Sequence, residues 1–372
     1  MLRPATWVLG ALAIAPPAIA QSPAVAVPVP LTRIASAPSC STCRLSIRTI
    51  ARLGGDSGLT FHELAYGGAL DRRGRLFVTG IGEPSTVTVH DTRTGVTRRI
   101  GRPGQGPGEF VSPAIVLAGA GDSVYVWDET MRRLSVLSPE LVYVRSVVLR
   151  DFEALRGSVL GGGRIVFAGR PSSPSGIGFP LLELDPRSGA RAQFGGHGGV
   201  VRPEQWFNQA LQIGPARDGG LWTGRVNRYL LTHWDPDHRA TRQIERQVSW
   251  FPAGDRRDIR RELPFSQPGL VGVWQDAKGL IWTVSVVPVP RMAAVTNAAT
   301  RGPTADDLSH EAMVRRLDSM IEVLDPARGT VLVSQRVSGP LVPAANGGLL
   351  RLAVDRDGLE TLELLQISLA GR

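Results

Sequence analysis

Lysine is all but missing from this chain of 372 residues: Lys278 stands alone, and the other 41 of its 42 basic residues are arginine. Histidine is scarce as well, with His62, His90, His197, His233, His238 and His310 making up the set. No two of them form an HxH or HxxxH pair, so the common short-range metal-binding signatures are absent. Two cysteines are too few for a multi-bridge scaffold or an all-cysteine zinc site. There is no Gly-x-Ser-x-Gly nucleophile elbow, and the glycine-rich stretch 101–108 lacks the Lys-Ser/Thr ending of a phosphate loop. Past the first twenty residues no run free of Gly, Pro and charge is long enough to span a bilayer. The formal net charge is +9, yet the arginines are dispersed over hairpin-like segments and no nucleic-acid motif accompanies them. A nucleic-acid partner is therefore not expected.

What is abundant is punctuation: 43 glycines and 28 prolines cut the chain into short segments. Arg3, an apolar core over 7–15 and Ala18-Ile19-Ala20 before Gln21 read as a signal peptide over 1–20. The protein is accordingly expected to be exported, periplasmic or extracellular, with no membrane span. Residues 21–44 form a Pro/Ala-rich linker ending in Cys40-Ser-Thr-Cys43. In an exported chain these two favour a local disulfide over free thiols or redox chemistry. Arg44 stands where a haem-attachment motif needs histidine.

From residue 45 one pattern recurs. A turn residue is followed three positions later by an aromatic or large apolar anchor: Gly74/Phe77, Asp122/Tyr125, Gly163/Val166, Gly219/Trp222, Gly279/Trp282 and Gly347/Leu350. Beyond most anchors comes a second turn with Asp four residues before Gly, as in Asp91/Gly95, Asp185/Gly189 and Asp325/Gly329. Ser138-Pro139 and Asp235-Pro236 are its variants, and Phe61, Phe110, Phe207 and Phe265 open four of the units. The anchors are spaced by 48, 41, 56, 60 and 68 residues, so the order of parts persists while loops vary. Short antiparallel strands at that period predict an all-β, six-bladed β-propeller over 45–372. The last unit, 348–369, stops after a third strand, and the early strand 45–53 has no unit of its own. Pairing the two would close the ring and remove an exposed sheet edge. A helical insertion is expected at about 288–318, capped by Thr304.

The stretch GRPGQGPGEFVSPAIVLAGAGDSVYVWDETMRRLSVLS, 101–138, resembles an NHL-type repeat. The chain as a whole is similar to the exported six-bladed propellers of bacteria, the NHL- or TolB-like proteins. The resemblance implies a ring that binds partners more often than it carries a shared reaction. Some relatives are amidating lyases or metal-dependent lactonases with histidines and carboxylates converging on the axis. Where such repeats carry Asp-Asn-His-Arg, this chain reads Thr130-Met131-Arg132-Arg133, without the histidine.

These readings favour a non-enzymatic binding or scaffold module, a monomer presenting one ring face to a protein, peptide or glycan, with no cofactor. The candidate rim consists of Arg202, Gln205, Trp206 and Asn208 in one loop, beside Glu204, with Arg225, Asn227 and Arg228 in the turn after Trp222. It combines an aromatic anchor with polar groups, as interfaces and sugar or peptide sites do. The alternative is a metal-dependent lyase or hydrolase holding calcium or zinc through His62 and Glu63.

Overall fold

The computed structural model describes residues 28–35, 37–55, 59, 68–171, 181–195, 210–252, 267–290, 310–345 and 348–371. The expected signal peptide, Thr304, and Phe61, Phe207 and Phe265 lie outside them. The chain opens with β1 (Leu31–Ile34) and β2 (Arg44–Gly54), and the antiparallel units follow. The first holds β3 (Gly68–Leu70), β4 (Arg75–Val78), β5 (Val87–Asp91) and β6 (Thr97–Ile100). Next come β7 (Pro113–Ala118), β8 (Val124–Asp128), β9 (Arg133–Leu137) and β10 (Tyr143–Val148). Then follow β11 (Phe152–Val159), β12 (Ile165–Pro171), β13 (Leu181–Leu184) and β14 (Arg191–Phe194). The next unit is β15 (Leu211–Pro215), β16 (Leu221–Arg225), β17 (Leu230–Trp234) and β18 (Ala240–Arg246). After it come β19 (Gly269–Gln275), β20 (Ile281–Pro288), a short helix α1 (His310–Arg316), β21 (Leu317–Asp325) and β22 (Thr330–Ser338). The chain ends in β23 (Leu341–Ala345), β24 (Gly348–Val354) and β25 (Glu360–Ala370).

The arrangement is an all-β propeller. Three sheets have four strands each (β7–β10, β11–β14 and β19–β22), and β15–β18 carry β1 as a fifth. Where the repeat pattern predicted two more separate blades, there is one eight-stranded sheet, β2-β25-β24-β23-β3-β4-β5-β6, so four blades stand apart. The reason is local. β23 and β3 lie parallel and bond over two pairs, Ala344↔Gly68 and Ala345↔Ala69. Gly68 permits this approach, because a Cβ there would fall 2.8 Å from the Phe77 carbonyl oxygen and 3.0 Å from Leu350.

The anchor residues all begin second strands, and five of the turns before them have the conformation the pattern requires, Gly347 lying outside the described residues. Gly74, Asp122, Gly163, Gly219 and Gly279 have φ between 59° and 89°. The second turns are held by side chains, with Asp91 accepting from the Arg93 and Thr94 N–H groups and Asp185 from that of Arg187. In the variants, His238 and Leu141 supply the positive φ that glycine supplies elsewhere.

Apolar clusters sit between consecutive units. Trp127 and Phe167 meet between β7–β10 and β11–β14, at 5.8 Å between ring centroids. Tyr229, Leu270 and Ile281 meet between β15–β18 and β19–β22. Arginine ties two further seams at their rims: Arg75 donates to the Pro139 carbonyl, joining β3–β6 to β7–β10, and Arg164 to that of Gly219, joining β11–β14 to β15–β18. A guanidinium bonds a carboxylate of its own blade and a carbonyl of the next at once, a use that a lysine ammonium serves less well.

β2 pairs with β25 in antiparallel register from Arg44↔Ala370 to Gly54↔Thr361, so the early strand completes the unit formed by β23–β25. That unit starts at Leu341, ahead of the 348 expected from sequence. Part of the expected linker is itself a strand, since β1 lies parallel to β18 from Leu31↔Gln243 to Ile34↔Arg246. The helical insertion is described over α1, where Ala312 is buried and Val314 packs on the Leu352 and Leu362 cluster.

Candidate functional site

The innermost strands are neighbours in a cycle: β3 beside β7, then β11, β15, β19 and β23, with β23 returning to β3. They enclose an axial cavity of about 380 Å³, lined from each of them by residues such as Gly68, Val116, Ser158, Gln212, Gly272 and Pro343. Close packing of neighbours sets its bore. A Cβ on Gly214 would sit 1.8 Å from the Val273 carbonyl oxygen, so only glycine lets β15 and β19 meet there.

The wall is chiefly apolar, with polar groups at a few points. Asp276 lines it, but its carboxylate accepts from the Lys278 and Leu280 N–H groups and from Trp282 Nε1, at 2.8–2.9 Å, and so serves its own turn. Gln275 bridges blades, accepting from the Arg217 N–H at 3.0 Å and from Trp222 Nε1 at 3.4 Å. Arg156 is the cationic member. Its Nε donates to Gln212 Oε1 at 3.3 Å and its Nη1 to the Leu155 carbonyl at 2.7 Å. The β11–β12 register shifts between Ala154 and Arg156, and such a bulge re-aims the side chain that follows. Arg156 is hard to single out from sequence, because FEALRGSV alternates poorly even though Phe152 opens the strand. The broken alternation at Arg156-Gly157 was the available signal.

Of the rim proposed from sequence, Arg202, Gln205, Trp206 and Asn208 lie outside the described residues, as do Glu204, His62 and Glu63. Arg225 ends β16 half-buried, Asn227 is buried, and Arg228 Nη2 donates to Glu245 at 2.5 Å. None of these three lines the axial cavity. Glu245 also accepts from Arg33 at 3.2 Å, so Arg228 shares a carboxylate with the N-terminal arm. Those two arginines hold the Glu245 carboxyl below its ordinary range. His90 and His233 are at the ends of third strands, away from the axis.

The glycine-rich loop is occupied with itself. Glu109 accepts from the Gly106 N–H at 2.8 Å and Arg102 Nε at 2.9 Å, and these bonds hold its carboxyl below the usual range. Arg133 donates to the Gln105 and Glu109 carbonyls, and buried Asp128 accepts from the Val111 and Ser112 N–H groups. Cys40 and Cys43 are joined in a disulfide. Among the described residues no three His, Cys, Asp or Glu side chains converge as a metal site, and no helix is long and apolar enough to cross a membrane.

Fold and cavity together define the class: a β-propeller with a narrow, largely apolar axis. No protein-family description matches the chain, and no curated protein matches it in sequence. Solved structures do match. A member of the DUF4221 family from Bacteroides vulgatus is similar over 87% of this chain and 98% of its own, with TM-score 0.57 and 11% identity. A protein from Bacteroides fragilis described as exported is similar over 92% and 100%, with TM-score 0.55 and 8% identity. Virginiamycin B lyase from Staphylococcus aureus gives TM-score 0.46 at 10% identity, over 87% and 99%. At these identities the likeness is one of fold alone.

Proposed function

We propose that this protein is an exported six-bladed propeller that binds, without converting it, an extended peptide or protein segment whose acidic end enters the axial cavity. The six-blade count takes the eight-stranded sheet as two blades fused at the β23–β3 seam, and it is supported by the cycle of inner strands. Export is supported by the signal-like first twenty residues. The observation that carries the binding reading is Arg156, the cationic group of a largely apolar bore, set there with Gln212. Guanidinium groups recognise carboxylates through paired donors, and the bond strengthens where water is excluded. Apolar walls accept the aliphatic side chains that precede such an end.

The test is a titration of the full chain with a Val-Leu-Ala tripeptide, acetylated at its N-terminus, followed by tryptophan fluorescence, since Trp274 lines the cavity. The free C-terminal acid is expected to bind at least tenfold more tightly than the C-terminal amide. Arg156→Gln should erase that difference. Equal binding of acid and amide by the unaltered protein would reject the reading.

A further inference from the structure

A second cleft opens between the β15–β18 and β19–β22 blades, sharing Gln275 with the axial wall. Its volume is about 500 Å³, and Arg217, Asp218, His233, Thr241 and Arg242 face Pro326 and Gln275 across it. The walls are tied before any ligand arrives. Gln275 Oε1 accepts from the Arg217 N–H and from Trp222 Nε1, its Nε2 donates to the Gly279 carbonyl at 2.9 Å, and Arg242 Nη1 donates to the Pro326 carbonyl at 3.1 Å. Such preorganisation lowers the ordering cost of binding. The imidazole of His233 lies 4.9 Å from the Trp222 ring, with Nδ1 2.6 Å from Thr241 Oγ1 and Nε2 3.2 Å from Asp218 Oδ2. Asp218 is thereby oriented at the cleft wall.

The charges are what assign a ligand. Arg217 and Arg242 are exposed, and the Arg217 guanidinium has no side-chain partner among the described residues. Among the described residues that line the cleft, Asp218 is the single carboxylate. Two guanidinium groups and one carboxylate mirror, sign for sign, a molecule with two carboxylates and one ammonium. A phosphate dianion would leave Asp218 opposed, and a neutral sugar would leave both arginines unanswered. We infer that this cleft binds a free acidic α-amino acid. Its carboxylates meet Arg217 and Arg242, and its ammonium meets Asp218.

The inference is independent of the axial site and is tested by calorimetric titration of the full chain with L-glutamate, glutarate and L-glutamine. Glutarate lacks the ammonium, and glutamine lacks one carboxylate. The unaltered protein is expected to bind L-glutamate at least tenfold more tightly than either. Asp218→Asn should abolish the preference over glutarate and Arg217→Gln the preference over glutamine. Both positions are exposed, so thermal melting should be unchanged. Arg156→Gln, which probes the axis, should leave all three affinities as they were. Absence of L-glutamate binding up to about 10 mM, or preferences that survive both substitutions, would overturn the assignment. So would loss of glutamate binding in Arg156→Gln.

Discussion

Arg246 and Glu322 form a bidentate ion pair at 3.0 Å, with side chains 2% and 0% exposed, at the seam between the β15–β18 and β19–β22 blades. Arg246 also donates to the Ile34 carbonyl, so one guanidinium joins two blades and the N-terminal arm. Tyr229 is buried alongside, 2.5 Å from Thr283 Oγ1, and burial followed by the charge of Glu322 pushes its hydroxyl well above the usual tyrosine range. Taking away one partner of such a pair strands the other charge in the interior. Arg246→Met is expected to cost about 3–5 kcal/mol in urea unfolding. Arg246→Met combined with Glu322→Leu should regain most of that loss. None of this was legible in the sequence, because the partners are 76 residues apart and each sits among ordinary strand residues. Asp128, by contrast, lies within the stretch 101–138 singled out from sequence, and its partners Val111, Ser112 and Met131 are near it in the chain.

Among the elements, the hairpins were readable and the arm was not. A turn that needs positive φ and an anchor three residues on are constraints within a few residues, so composition records them. β1 is four residues of LTRI whose partner strand lies more than 200 positions away, and nothing local distinguishes it from linker. Once in place it covers the outer edge of β18, with the Gln243 N–H donating to the Pro30 carbonyl and the Gln247 N–H to that of Ile34. The arm then crosses to the next blade, where the Ser39 N–H and hydroxyl both donate to the Val331 carbonyl. A chain beginning at residue 38 is expected to remain folded, with its melting temperature lowered by several degrees. Hydrogen exchange should then accelerate in β18, while β8 and β9 keep their protection. Equal protection of β18 in both chains would show that the arm does not stabilise that edge.

On the scale of the whole molecule, closure rests on β2 and β25, and a row of charges crosses that seam. Glu363 on β25 accepts from Arg52 on β2 at 2.9 Å and from Arg351 on β24 at 2.7 Å. Burial pushes its carboxyl up, but the two arginines outweigh burial and hold it below the ordinary carboxylate range. A depressed carboxyl adds stability that is present above its unfolded-state value and is lost as pH falls through the folded-state value. Melting temperature should therefore drop on acidification through the carboxylate range, and Glu363→Gln should start lower near neutrality and show a shallower drop. The pairing of the early and late strands was foreseeable because each end held a fragment of one unit. The fusion of β23 with β3 was not, since it depends on a two-residue contact.

Six inner strands enclose one axis, and the proposed function has Arg156 receive an acidic chain end there. A crystal structure of the full chain grown with the acetylated Val-Leu-Ala acid tests both halves at once. It should display six sectors around a single axis, with the peptide carboxylate beside Arg156 and Gln212. Five or seven sectors, three imidazoles gathered at the axis, or a peptide seated elsewhere would contradict it.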